Sequence, residues 1–104
     1  MKFLKVTIVK YVSYDQPGFV LCTFSDVYGK VWEITEKVPV LTAGEILEEN
    51  LPITGFYIAG EIVSTENDKV CFNTEKPWHI ATDEGETNFF VLPEQVSDTS
   101  SDDI

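Results

Sequence analysis

Residues 18–39 and 55–77 repeat one another, and no other feature of the chain constrains its fold as strongly. Each stretch opens on Gly-Phe (Gly18-Phe19, Gly55-Phe56), runs through an apolar segment into a polar turn, and restarts at Lys-Val (Lys30-Val31, Lys69-Val70). Each then ends in Thr-Glu-Lys (Thr35-Glu36-Lys37, Thr74-Glu75-Lys76) with a proline close behind. Two apolar runs joined by a polar turn are the signature of a β-hairpin. The pattern therefore predicts two hairpins built to one plan, with Phe19 matching Phe56 and Val31 matching Val70. Gly18 to Lys30 is 12 positions and Gly55 to Lys69 is 14, which makes the second turn the longer one. Coincidence is the competing explanation, because only the Thr-Glu-Lys triplet is an unusual match.

The rest of the chain continues the β pattern. Over residues 3–13, Leu4, Val6 and Ile8 alternate with Lys5 and Thr7, the period of a half-buried strand. Further strands are expected at 19–25, 30–36, 55–64, 69–74 and 88–92, with a short extended piece around Trp78 and Ile80. The periodicity breaks once: Thr42-Ala43-Gly44-Glu45 fits a capping box, and Asn50 and Pro52 stop the run, so one short helix is expected near 43–49. From Glu94 the composition turns to Ser, Asp and Thr, which predicts a single domain over 1–93 and an acidic disordered tail over 94–104. Six or seven short strands with turns at near-regular spacing give an all-β fold, a small antiparallel barrel or a compact sandwich. Apart from the lysines of the first strand, no candidate edge carries the usual protection, which favours the barrel.

Charge narrows the partners. Seven lysines, no arginine and 18 carboxylates leave a net −11. Such a field repels phosphate backbones, and the bidentate phosphate reader is missing, so nucleic acid and anionic membranes are disfavoured. A basic protein partner is favoured by field complementarity, although acidity also serves plain solubility. No apolar stretch reaches the roughly 18 residues that a membrane span needs. The apolar start of the chain is interrupted by Lys5 and Lys10, so it reads as a strand rather than a signal peptide. Cys22 shares a strand face with Val20 and Phe24, whereas Cys71 faces away from Val70 and Phe72, an arrangement that disfavours a disulfide. Free thiols fit a reducing compartment, and a cytoplasmic location is expected.

Chemistry-bearing patterns are sparse. No nucleophile elbow, glycine-rich phosphate loop or Cys-x-x-Cys occurs, so no catalytic residue, cofactor or metal is assigned. His79 with Asp83, Glu84 and Glu86 is the best grouping for a divalent cation or for proton transfer, but its spacing matches no known ligand motif and a solvated turn is the preferred explanation. Trp32, Trp78 and Phe72, with the tyrosines around them, describe either an aromatic mouth or the packing of the barrel ends. The candidate partner-binding residues are Tyr28, Trp78, His79, Asp83, Glu84 and Glu86.

Several segments resemble a group of small bacterial β-barrel proteins of unassigned function: 26–32 (Asp-Val-Tyr-Gly-Lys-Val-Trp), 36–39 (Glu-Lys-Val-Pro), 74–78 (Thr-Glu-Lys-Pro-Trp) and 82–89 (Thr-Asp-Glu-Gly-Glu-Thr-Asn-Phe). The resemblance covers about residues 5–95; it implies a bacterial source and one intact domain, and it transfers no site. The acidic, site-poor character also resembles toxin-immunity proteins in general properties. Two functional readings follow. One is a non-enzymatic acidic module that binds a basic protein, in an immunity-like or inhibitory role. The alternative is a small enzyme, or a small-ligand or metal binder, using the barrel mouth around His79.

Overall fold

The computed structural model describes residues 1–14, 18–37 and 48–99. Seven strands follow one another: β1 (Lys2–Ser13), β2 (Phe19–Ser25), β3 (Val31–Lys37), β4 (Ile53–Glu66), β5 (Lys69–Asn73), β6 (Asn88–Val91) and β7 (Val96–Ser97). They form one curled antiparallel sheet in the order β3-β2-β1-β4-β5-β6, a half-barrel, with the short β7 on the edge of β1. The all-β, barrel-like architecture expected from the sequence is the one the chain adopts.

The core is built from period-two alternation on the concave face. Leu4, Val6 and Ile8 of β1, Val20, Cys22 and Phe24 of β2, and Ile34 of β3 are all buried. β1 sits between β2 and β4 and bends through two irregularities against β2, between Ile8 and Lys10 and between Tyr11 and Ser13. Extra residues of this kind increase local twist, which is how a flat ladder curls. A third irregularity lies between β1 and β4, where Gly55 takes a φ of +92°. Glycine is the residue that adopts this conformation without steric cost.

β4 changes partners along its length. Its first half pairs with β1 as far as Gly60, and its second half pairs with β5 from Glu61 onward. Asn67, at φ +48°, and Asp68 then make the tight turn into β5. Val70, Cys71 and Phe72 are buried in succession, so β5 is covered on both faces. Cys71 does point away from its neighbours, but into protein rather than solvent. Both cysteines are free. Burial first, then the Glu36 charge, pushes the Cys22 thiol up to about 12. Burial, followed by the Glu66 charge, also raises Cys71. Neither thiol supplies a thiolate at neutral pH.

Three sequence expectations change. The two repeated stretches are both hairpins but not equivalent ones. Phe19 pairs with Lys37 at the mouth of the first, whereas Phe56 pairs with Val6 of β1, and the second ladder starts only at Glu61. Val31 is exposed while Val70 is buried, and Thr74-Glu75-Lys76 lies beyond β5. What the two share is the Gly-Phe corner, with φ of +93° at Gly18 and +92° at Gly55. Second, residues 78–80 form no strand: Trp78 lies in a turn and Ile80 plugs the core at 0% exposure. Third, order continues past the expected boundary at 94. A 3-10 turn (Pro93–Gln95) leads into β7, which pairs with Phe3 and Leu4, and Gln95 Nε2 donates to the Ser25 carbonyl at 2.9 Å. Lys2 and Asp98 form an exposed ion pair beside it. Residues 100–104 lie outside the described residues. So does most of the helix expected at 43–49; only its last two residues are described, in a single 3-10 turn (Glu48–Asn50).

Candidate functional site

The two edges of the curled sheet approach each other where the β2–β3 turn meets β6. Asp26 organises that turn. Its Oδ1 accepts hydrogen bonds from the Tyr28 and Lys30 amides, both at 2.9 Å, and its Oδ2 accepts one from the Trp32 indole Nε1–H at 2.9 Å. Side-chain bonding of this kind to amides further along the chain is what aspartate does in turns. The Val27 amide donates to the Phe90 carbonyl at 2.9 Å and ties the turn to β6. Below it the Trp32 ring packs against Phe89, with centroids 5.0 Å apart and planes at 71°. The indole is therefore held at its nitrogen and across its ring. The Lys30 ammonium lies 3.9 Å from the ring centroid, within cation–π range.

The opposite wall comes from the long connection between β5 and β6. Thr74, fully buried, anchors it. Its amide donates to the Thr87 carbonyl at 2.9 Å, its carbonyl accepts from the Ile80 amide at 2.9 Å, and its hydroxyl donates to the Ile80 carbonyl. The turn that follows closes on itself: the Thr82 amide donates to Glu86 O at 3.1 Å, Gly85 N–H to Thr82 O at 2.8 Å, and Glu86 N–H to the Thr82 hydroxyl at 3.1 Å. Residues 82–84 then stand opposite the start of β3. Between them lies a cavity of about 160 Å³ lined by Lys30, Val31, Trp32, Glu33, Thr82, Asp83 and Glu84.

The structure brings together only part of the residue set picked from sequence. Asp83 and Glu84 line the cavity. Glu86 is turned to local use, its Oε1 accepting from the Thr87 amide at 3.2 Å and the Asn88 amide at 3.1 Å. Tyr28 is exposed and packs edge-on against Phe90, and the Lys69 ammonium lies 5.7 Å from the Tyr28 ring and 5.6 Å from that of Phe90. Trp78 is 59% exposed on the connection that follows β5 and does not line the cavity. His79 is exposed at φ +51° and does not line the cavity. Among the described residues no three His, Cys, Asp or Glu side chains converge as metal ligands would. Phe72, suggested for an aromatic mouth, is fully buried in the core. Trp32 and Lys30, absent from the candidate set, are central. The signal was present: the strand expected at 30–36 places Lys30 and Trp32 two residues apart, the spacing of one face.

Partial burial pushes the Asp26 carboxyl up. The Trp32 indole, the Lys30 and Tyr28 amides and the Lys30 charge outweigh it and hold the group below its ordinary value. A carboxylate with a depressed native pKa stabilises the fold above the unfolded value, about 3.9, and that contribution is lost as pH falls through the native one. Acid titration should therefore leave stability flat from pH 7 to 5 and erode it below about pH 4. Asp26→Asn should be less stable than the parent at pH 7, with the gap closing on the acid side. Urea midpoints of both proteins across pH check this, and a gap that does not shrink would remove Asp26 from the account.

No helix among the described residues is long and apolar enough to cross a membrane. No family model, curated protein or solved structure matches the chain.

Proposed function

We propose that this protein is a non-enzymatic module that binds a basic segment of another protein where β3 meets the 82–84 turn. The observation that carries the reading is the cavity between them, walled by an immobilised indole and by the residues Glu33, Asp83 and Glu84. Its volume of about 160 Å³ is well below the roughly 300–1,000 Å³ of small-molecule sites, so it suits a single side chain rather than a whole ligand. The exposed Tyr28 provides apolar contact on one flank, in the way aromatic residues anchor interfaces. The net −11 draws a cationic partner in and repels phosphate. An inhibitory or immunity-like role is the version of this function that such a surface fits, and the buried free thiols suit a cytoplasmic setting. The enzyme or ligand-binder reading gains nothing from His79, which stands outside the cavity.

Octalysine at about 0.15 M salt is a suitable probe, because there the Debye length is about 8 Å and remote charges are screened. Asp83→Asn with Glu84→Gln should weaken its calorimetric affinity about tenfold, the equivalent of about 1.4 kcal/mol. Glu66→Gln with Glu75→Gln removes the same charge elsewhere and should change it less than about twofold. Equal losses in the two pairs would reduce the interaction to net charge and overturn the site.

A further inference from the structure

We infer that the cavity beside Trp32 is a subsite for one cationic side chain, lysine or arginine, of the partner, and that Lys30 is its internal stand-in, which an incoming cation must displace. This rests on the basic-partner reading above.

Three features converge on it. The Lys30 ammonium lies 3.9 Å from the Trp32 centroid, so the ring already accepts a cation. Lys30 and Trp32 line the same cavity and the Lys30 side chain is exposed, so the pair borders space that a ligand can enter. The ring and the lysine are held very differently. The indole is fixed by Asp26 and Phe89, whereas Lys30 is tied at its backbone, its N–H donating a hydrogen bond to the Asp26 carboxylate, and its side chain is exposed. A flexible four-carbon stem can therefore swing out while the aromatic wall stays in place.

Size and charge specify what replaces it. A cavity of about 150 Å³ accepts a benzene ring, so about 160 Å³ holds one ammonium or guanidinium with part of its stem. Glu33, Asp83 and Glu84 supply the counter-charge, and an incoming carboxylate or phosphate would meet three acidic residues. Two cations cannot share one ring face without repulsion, so Lys30 and the incoming side chain compete. The contact lowers affinity for weakly cationic segments, and a segment able to displace the lysine gains the ring.

Removing a lysine should thus tighten binding through this site specifically. Lys30→Ala, in an exposed side chain, should bind octalysine about threefold more tightly than the parent, the size of a vacated surface cation–π contact. Lys30→Arg keeps a cation on the ring and should bind like the parent. Lys37→Ala removes the same charge at the far end of β3, roughly 20 Å away at about 3.3 Å per residue, and should also bind like the parent. Calorimetry at about 0.15 M salt reads all four proteins. Lys30→Ala no tighter than Lys37→Ala overturns the stand-in, while the Asp83/Glu84 result still supports the basic-partner reading. Failure of octalysine to bind either the parent or Lys30→Ala overturns both.

Discussion

Phe89→Ala should lower the unfolding free energy by about 3–5 kcal/mol, the range for emptying a buried aromatic site. Against a total of about 5–15 kcal/mol for a domain of this kind, that is about a fifth of the stability at the least. The argument is topological. β3 and β6 are the two ends of the strand order, and among the described residues no ladder joins them. Apart from the backbone bond from the Val27 amide to the Phe90 carbonyl, closure falls to side chains. Phe89, 1% exposed, packs edge-on against Phe24 of β2 at 5.0 Å and against Trp32 of β3 at 5.0 Å. One ring from a four-residue strand thus bridges to the other edge of the sheet. At about 4–8 °C per kcal/mol for domains near this size, the melting temperature should fall by more than about 12 °C. Phe89→Leu keeps most of the volume and should cost clearly less. The same substitution removes the packing under Trp32, so Phe89→Ala should also weaken octalysine binding at temperatures where it is still folded. A loss below about 1 kcal/mol would mean that the edges are held by something other than this aromatic bridge.

Where alternation was clean, the sequence was enough. Leu4, Val6 and Ile8, then Val20, Cys22 and Phe24, each mark one buried face, because a strand with one wet side must alternate. The pattern fails where a strand is covered on both sides or on neither. Val70, Cys71 and Phe72 are all buried, and Ile62 and Val63 are both exposed on the second half of β4. Nothing local distinguishes those cases, since the cause is a change of partner along β4. The repeat misled for the same reason: similar strings were read as similar pairings, but register is fixed by what lies on the other side of the strand. β7 is two residues long and carries no periodicity at all. The site divides in the same way. The acidic turn at Asp83 and Glu84 was visible as composition, whereas its place against Lys30 and Trp32 depends on a contact some fifty positions away in the chain.

Gly60→Ala is expected to be nearly as damaging as the loss of Phe89, for the opposite reason. Gly60 is the last residue of β4 to pair with β1, opposite Lys2, and the next residue, Glu61, begins the pairing with β5 opposite Asn73. At that crossing β4 runs close over β5. A Cβ on Gly60 would lie 2.6 Å from Cε2 and 2.9 Å from Cζ of Phe72, and closer still to the Asn73 carbonyl oxygen. Phe72 is fully buried and has nowhere to move, and the Asn73 oxygen belongs to the backbone of β5. Relief would require β5 to lift away from β4, in a strand paired on both sides. Overpacking of a close-packed interior costs typically about 1–3 kcal/mol, and a clash with main chain belongs at or above the top of that range. Two controls separate this from the ordinary cost of replacing glycine. Gly85 sits at φ +87° with open space around it, so Gly85→Ala should cost only the conformational penalty, about 1–2 kcal/mol. Phe72→Leu placed on Gly60→Ala removes the ring clash but not the carbonyl one, so the pair should recover little of the lost stability. Urea unfolding of the three variants provides the check. If Gly60→Ala costs no more than Gly85→Ala, then β4 does not cross β5 as closely as Gly60 allows, and the change of partner must be accommodated elsewhere in the strand.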